Sequence, residues 1–368
     1  MPKPPQSPSP RPQPLPLVKV AGSAYQRGLQ HGRACGDLIR RYPEVLLGVL
    51  RAEAQWRALD TAGRDPTRDD LLARALRFLP ALEAYAPHLV EEVRGIADGA
   101  RLSFAEVLLV NVRAEVMGLT TADAHCTSFA VGRSATADGS VLSGQNLDQD
   151  PLNRDLLIML HVEPDQGPAM LMCSFAGLVG YPGINDAGVS VFQNALSTRS
   201  WRGNAMPHYF MKRVLLEQAD VAACAAVLGK ARVCSSGNYV LTDRQGMLRD
   251  VELTPDRLAV LEAEDDIVVH ANHFQSPTLV PEEALLPHIP DSAHRSPRMA
   301  ALLAARRGRI TVDDLKDSLA DHEGSPAAIC RHQPNVRTIA AIVAEPDQGR
   351  LHVAPGLACD TGFATYSL

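Results

Sequence analysis

The sequence predicts an α+β fold with helical layers over stacked, mainly antiparallel sheets. The first third carries apolar residues at helical spacing, short strand-like runs take over at about residue 126, and two well-punctuated helices return before the closing strands. The 368 residues are 46% hydrophobic and 21% charged, enough apolar material for two domains or one large one. That composition excludes disordered, collagen-like and disulfide-scaffold classes. A net charge of −6 argues against a nucleic-acid partner. No apolar run approaches the roughly 18–20 residues that span a bilayer.

Residues 1–16 contain eight prolines and no apolar stretch of the kind a signal peptide has, so a disordered, polyproline-like tail and a cytoplasmic setting are expected. A helix is predicted from Ser23 to about Arg57, with Tyr25, Leu29, Leu38, Ile39, Tyr42 and Leu46 as its apolar stripe. A second helix covers Asp69–Phe78 and stops at Pro80. Pro87 opens a third, which Gly99 ends. Ser103 and Glu106 form a capping box before an apolar run. Cys126–Val131 reads as a strand, Asp138-Gly139 as a hairpin turn, and Val141–Gly144 as the start of the return strand. Further strands are predicted at Asp155–Val162, Ala169–Phe175, Val189–Gln193, Asn238–Leu241, Leu258–Leu261 and Ile267–His270. Ser296, Pro297 and Gly308 frame one late helix and Thr311 with Asp314 starts another. Thr338–Val343 and Leu351–Val353 are the closing strands.

The seven cysteines, 35, 126, 173, 224, 234, 330 and 359, include no CxxC pair, so neither a zinc ribbon nor a disulfide framework is expected. Most should be small buried hydrophobes. Gly177, Gly180 and Gly183 lack the Lys-Ser/Thr ending of a phosphate loop and are expected to permit close backbone approach. Gly28, His31 and Gly32 are expected in helix packing rather than as ligands. The predicted hairpin brings the chain back beside Cys126 at about residues 148–151, so Gly144–Asp148 ends near the thiol. On spacing alone Cys126 still reads as a core cysteine.

The residues around this hairpin carry a resemblance. Ala124-His125-Cys126-Thr127-Ser128-Phe129, then Asp138-Gly139 and Gly144-Gln145-Asn146-Leu147-Asp148, resembles the isopenicillin N acyltransferase family of autoproteolytic N-terminal-nucleophile (Ntn) cysteine hydrolases. Penicillin V acylase, bile salt hydrolase and acid ceramidase are relatives of that family. Gly183 to Asn194 resembles the family's Gly-x-Asn-x-x-Gly strand, His270-Ala271-Asn272-His273 its later Asn segment, and Ser292 to Arg298 its S-x-x-R helix start. Gly28 to Gly32 and Asp321-His322 through Ile329-Cys330-Arg331-His332 also fit, so the resemblance covers about residues 17–368.

The resemblance implies an Ntn-hydrolase αββα sandwich preceded by a helical segment. Residues 17–125 would be the α chain and 126–368 the β chain after self-cleavage at His125-Cys126, the two fragments staying associated. It implies Cys126 as nucleophile and its freed α-amine as base. Asp148 would hold the amine or thiol, and Asn272 with a backbone N–H near Asn194 would donate to the oxyanion. Arg295 would supply positive charge, with Arg298 as the alternative. No cofactor or metal is implied. The partner is a small-molecule acyl amide or acyl donor, acyl-coenzyme A among them, although no coenzyme A motif is legible. Two departures stand out: His125 replaces the glycine of the acyltransferase type member, and Gln145 replaces the arginine of the bile salt hydrolases. The rival readings are an unprocessed Cys–His thiol hydrolase using His273 or His322, a metal hydrolase, and a non-catalytic binding protein.

Overall fold

The structure is a computed structural model that describes residues 14–52, 67–117 and 125–368. Most of the proline-rich tail and the predicted end of the first helix at Arg57 lie outside the described residues. Helix α1 covers Ala24–Ala52, α2 Arg68–Leu76, α3 Leu79–Tyr85, α4 Pro87–Ala100, α5 Phe104–Asn111 and α6 Arg113–Met117. The Ser103–Glu106 capping box is formed, and Thr67 with Asp70 makes a second one ahead of α2. Pro80 sits at the start of α3, where its missing N–H costs nothing.

Two expectations for these helices are corrected. Gly99 does not end α4; Arg101, at φ +59°, caps it. Gly99 is instead a packing residue, because a Cβ there would lie 2.4 Å from the Leu29 carbonyl oxygen of α1. Gly28, Gly32 and Gly95 are equally tight, with virtual Cβ atoms 2.0, 2.3 and 2.2 Å from carbonyl oxygens of the opposite helix. These four glycines let α1 and α4 touch backbone to backbone, as expected for Gly28 and Gly32. The stripe of α1 is accordingly Gly28, His31, Gly32, Cys35, Ile39, Tyr42 and Leu46, and Tyr25 is exposed. Counting only apolar side chains misplaced that stripe.

From residue 125 the chain builds two sheets. The first has strands β1 (Leu17–Gly22), β4 (Leu157–Pro164), β5 (Met170–Phe175), β6 (Gly183–Asn185), β7 (Ser190–Ala195), β8 (Gly237–Thr242), β9 (Leu248–Leu253) and β10 (Leu258–Leu261) side by side in that order. The second runs β11 (Ile267–His270), β2 (His125–Val131), β3 (Leu142–Gln149), β12 (Arg337–Glu345), β13 (Arg350–Ala354) and β14 (Ala364–Ser367). Every described strand pair is antiparallel except β1 with β4. Strands β2 and β3 lie against β7, and β11 against β8 and β9, so the sheets stack face to face. Helices α1, α7 (His208–Leu216) and α8 (Val221–Lys230) cover the first sheet; α9 (Ser292–Ala304) and α10 (Val312–Leu319) cover the second. The result is the expected helix, sheet, sheet, helix layering.

Short β1 was not anticipated, and it matters most. It adds the front segment to the first sheet as a strand, and Val18 and Val20 share one hydrophobic cluster with Ile39, Val93, Leu160, Met172 and Val191. Strands β6, β9 and β14 and helices α7 and α8 also went unpredicted. Helix α9 begins at Ser292, one turn before the Ser296 start expected, with Pro297 inside it. Gly180 and Gly183 do permit close approach, to the Tyr209 and Leu171 carbonyls.

Candidate active site

Strands β2 and β3 set the site by register. His125 pairs with Asp148 and Cys126 with Leu147, just short of residues 148–151, where the chain was expected to return beside Cys126. Both strands are buried along their whole length, lying between the facing sheet and the α9–α10 layer. Cys126 is 5% exposed and Asp148 is fully buried.

Two side chains converge on the backbone of Cys126. Its N–H donates to Asn272 Oδ1 at 2.7 Å, just past the end of β11. Arg295 Nη1 donates to the Cys126 carbonyl at 2.5 Å and to Thr127 Oγ1 at 2.8 Å, and Arg295 Nη2 donates to Asn272 Oδ1 at 2.9 Å. The early start of α9 places Arg295 in the first helical turn, where the helix dipole disfavours a cation. Asp291 offsets that cost: its carboxylate accepts from Arg295 Nε at 2.8 Å and from Arg331 Nη1 at 2.6 Å, and the two guanidiniums hold its pKa well below the usual carboxylate range against the pull of burial. A fully buried arginine is thus neutralised and fixed, with its Nη atoms aimed at Cys126 and Asn272.

Asp148 approaches from the neighbouring strand. Thr338 on β12 donates to its Oδ1 at 2.6 Å, and Oδ2 is buried with no hydrogen-bond partner among the described residues. Burial pushes this carboxyl up to about 6, against the pull of Arg295 and the Thr338 bond. Burial also pushes the Cys126 thiol up to about 11, the Asp148 charge adding to it, while a backbone contact from Asp148 and the charges of Lys212 and Arg295 act the other way.

Asn194 makes no hydrogen bond to Cys126 among the described residues, although its neighbours Gln193 and Ala195 line the same cavity. Its Oδ1 accepts from Ser128, its backbone N–H donates to Asn238 Oδ1 at 2.9 Å, and its Nδ2 is buried with no hydrogen-bond partner among the described residues. Asn272 reaches Cys126 through its acceptor, while its Nδ2 donates to the Ala195 carbonyl at 3.1 Å. Arg298 pairs with Asp321 and Glu323 away from the site. Gln145 donates to the Gln193 carbonyl at 2.7 Å. Neither rival base hydrogen-bonds Cys126 among the described residues: His273 bonds Ser292 Oγ and lines a separate cleft between β11 and α9, and His322 meets His332. His31 is structural, its Nε2 accepting from the Gly177 N–H at 3.0 Å.

Sequence reasoning missed several neighbours. The narrow cavity at Cys126 is lined by Ala114, Gln149, Tyr181, Gln193, Ala195, His208, Tyr209 and Lys212, among others. Glu115 on α6 accepts from His208 Nδ1 at 2.9 Å, and the Lys212 ammonium lies 4.6 and 4.8 Å from the ring centres of Tyr181 and Tyr209. Helix α7 supplies three of these groups, and Pro207 before an apolar run was the signal that could have revealed it.

With this geometry in place, the comparisons with known proteins are decisive. The family model described as acyl-coenzyme A:6-aminopenicillanic acid acyl-transferase matches residues 134–356. The chain belongs to that family. The acyl-transferase match contains Asp148, Asn194, Asn272 and Arg295 and begins just after Cys126. The acyl-coenzyme A:6-aminopenicillanic-acid-acyltransferase 40 kDa form of Emericella nidulans is 26% identical over 317 residues, 85% of this chain and 84% of that protein. The β-alanyl-dopamine/carcinine hydrolase of Drosophila melanogaster is 24% identical over 259 residues, 65% of each chain. Among solved structures, a single-residue variant of conjugated bile acid hydrolase from Clostridium perfringens superimposes with a TM-score of 0.46 at 16% identity, covering 66% of this chain and 97% of that one. Penicillin V acylase from Agrobacterium tumefaciens gives 0.44 at 14%, covering 62% and 83%. As a member of the acyl-transferase family, the protein is an enzyme of acyl transfer or amide hydrolysis. No helix among the described residues is long and apolar enough to cross a membrane.

Proposed function

We propose that the chain cuts its own His125–Cys126 bond and then uses Cys126 to open an amide, passing the acyl group through a thioester to water or an amine. The observation that carries this reading is the pairing of the Cys126 nitrogen, held at 2.7 Å by Asn272, with the unsatisfied buried oxygen of Asp148 one register position away. A buried carboxylate oxygen without a partner costs about 1–3 kcal/mol. A new ammonium at residue 126 is the group that would satisfy it.

In the first stage the Cys126 sulfur adds to the His125 carbonyl carbon and the C–N bond breaks. The nitrogen keeps the proton it carried, gains the thiol's proton, and becomes the free amine of Cys126. Water then releases the thioester, leaving a His125 carboxylate. In the second stage that amine, with an ordinary pKa of about 7.7–8, takes the thiol proton as sulfur attacks the substrate carbonyl. Asp148 and Asn272 hold the amine. Arg295 fixes the Cys126 carbonyl and Asn272 together, and adds positive charge beside the developing oxyanion. The cavity between Tyr181, Tyr209, Gln193 and Lys212 has room for about one water, so these side chains must move apart to admit the acyl group. Membership in the acyl-transferase family favours an acyl amide or an acyl-coenzyme A donor as partner. The β1–β4 pairing and the shared core would keep the two fragments together after cleavage.

Intact-mass measurement of purified protein tests the first stage. A β fragment beginning at Cys126 is expected from the wild type and none from Cys126→Ala. An unchanged chain after prolonged incubation at neutral pH would refute self-cleavage. Release of amine from a panel of acylated amines and amino acids tests the second stage, and turnover by Cys126→Ala would remove the nucleophile.

A further inference from the structure

Four ligand atoms meet at the end of the second sheet where β12 begins, none of them hydrogen-bonded to Cys126. The loop between α10 and β12 supplies His322, Cys330 and His332, and the segment after β13 supplies Cys359. The two Sγ atoms are 3.7 Å apart, the two Nε2 atoms 3.1 Å, and His332 Nε2 lies 3.6 Å from Cys330 Sγ and 3.4 Å from Cys359 Sγ. All four ligand atoms lie within 4.8 Å of one another. Zinc–sulfur bonds of ~2.3 Å and zinc–nitrogen bonds of ~2.0–2.1 Å, set at tetrahedral angles, give edges of about 3.8 Å for S–S, 3.3 Å for N–N and 3.5 Å for S–N. The four edges given follow that figure, and the two from His322 Nε2 to the sulfurs lie within 4.8 Å.

We propose that His322, Cys330, His332 and Cys359 bind one zinc ion as a closed, tetrahedral structural site. The donor set suits the metal: two thiolates and two neutral imidazoles neutralise a divalent cation and leave no open position for chemistry. Binding releases the two thiol protons to solvent and involves no redox step. The backbone already shapes the loop, since Cys330 N–H donates to the Asp321 carbonyl at 3.0 Å and His332 N–H to the Pro326 carbonyl at 3.2 Å. Sequence reading missed the site because Cys359 lies 27 residues beyond His332 and no ligand pair has CxxC or HxxxH spacing.

The ion would staple the loop that supports the catalytic end. Arg331 lies between two of the ligands. Its side chain holds Asp291, the partner of Arg295, and its N–H donates at 2.9 Å to Thr338 Oγ1, which in turn bonds Asp148. Zinc is therefore a positioning device for Arg295 and Asp148, not a catalytic metal.

The test is metal content of the full chain, produced in zinc-supplemented medium and dialysed under reducing conditions. One zinc per chain is expected by elemental analysis and native mass spectrometry. Cobalt substitution should give thiolate charge-transfer and tetrahedral d–d absorption. His322 and Cys359 are both exposed, so His322→Ala and Cys359→Ser should leave the fold intact. Each should weaken zinc binding by more than the about 10–100-fold typical of losing an outer partner. The Cys126→Ala chain should carry the same single zinc, which separates this proposal from the catalytic one. Zinc at background level in the wild type, undiminished zinc in His322→Ala and in Cys359→Ser, or a Cys330–Cys359 disulfide seen as a loss of two hydrogens would each overturn it.

Discussion

Replacing Asp148 by Asn is the most informative single change, because the structure separates its effects on rate and on stability. Asn keeps the shape and the acceptor for Thr338, so the 2.6 Å bond survives, but it puts an NH2 where the unpartnered Oδ2 stands. A charged hydrogen bond to an ammonium at residue 126 is lost. At about 1.5–3 kcal/mol that is roughly 10- to 150-fold in rate. Stability should move the other way. A carboxyl raised from 3.8 to about 6 on folding contributes stability that is fully present below the unfolded value and is lost as pH rises through about 6. At pH 8 the wild type therefore stands about 3 kcal/mol below its acid-limit contribution from this group, and Asn escapes that loss. The assay is the rate of amine release from an acylated amine by the cleaved enzyme across pH, read beside denaturant unfolding. Slower turnover, no acid limb near pH 6 and undiminished stability above that pH are expected. Wild-type turnover, or slow turnover accompanied by lower stability at pH 8, would refute the reasoning.

Other perturbations follow from the same geometry. Because burial holds the Cys126 thiol near 11, cleavage should accelerate by about tenfold per pH unit from about pH 7 to 9; a flat profile in quench-flow or gel time courses would show that thiolate formation does not limit it. Arg295→Leu strips the partner from buried Asn272 and half the charge from Asp291, and should cost about 3–5 kcal/mol in urea unfolding; a loss below 1 kcal/mol would contradict the network. Gly32→Ala puts a Cβ 2.3 Å from the Ile96 carbonyl and should cost about 2–3 kcal/mol by forcing α1 from α4, read as a lower thermal midpoint. A neutral substitution there would mean the helices have room to part.

The hairpin was legible in outline because a strand-like run, an Asp-Gly pair and a return run are local signals, but the register was not: a turn centred on Asp138-Gly139 would pair Cys126 with about residue 151, whereas the longer connection between Val131 and Leu142 pairs it with Leu147. Capping boxes at Ser103 and Thr311 were legible for the same reason. Strand β6 was not, being three residues long, and β1 was not, because its pairing with β4 spans some 140 residues. The start of α9 was misjudged because Pro297 looks like a first-turn proline, yet it lies inside a helix that Asp291 opens.

What the sequence determined by itself was the layer order and the strand pair that carries Cys126 and Asp148, set by periodicity, turn chemistry and the resemblance those motifs carry. The tertiary structure decided which polar groups meet. It turned Asn272 to Cys126 by its acceptor, committed the Asn194 N–H to Asn238, and joined Asp291 and Arg331 to Arg295. It also drew His322, Cys330, His332 and Cys359 into one cluster. The physical reason is range: secondary-structure signals act over a few residues, whereas a buried charge or a ligand set is completed by whichever distant segments the packed core brings within about 3–4 Å.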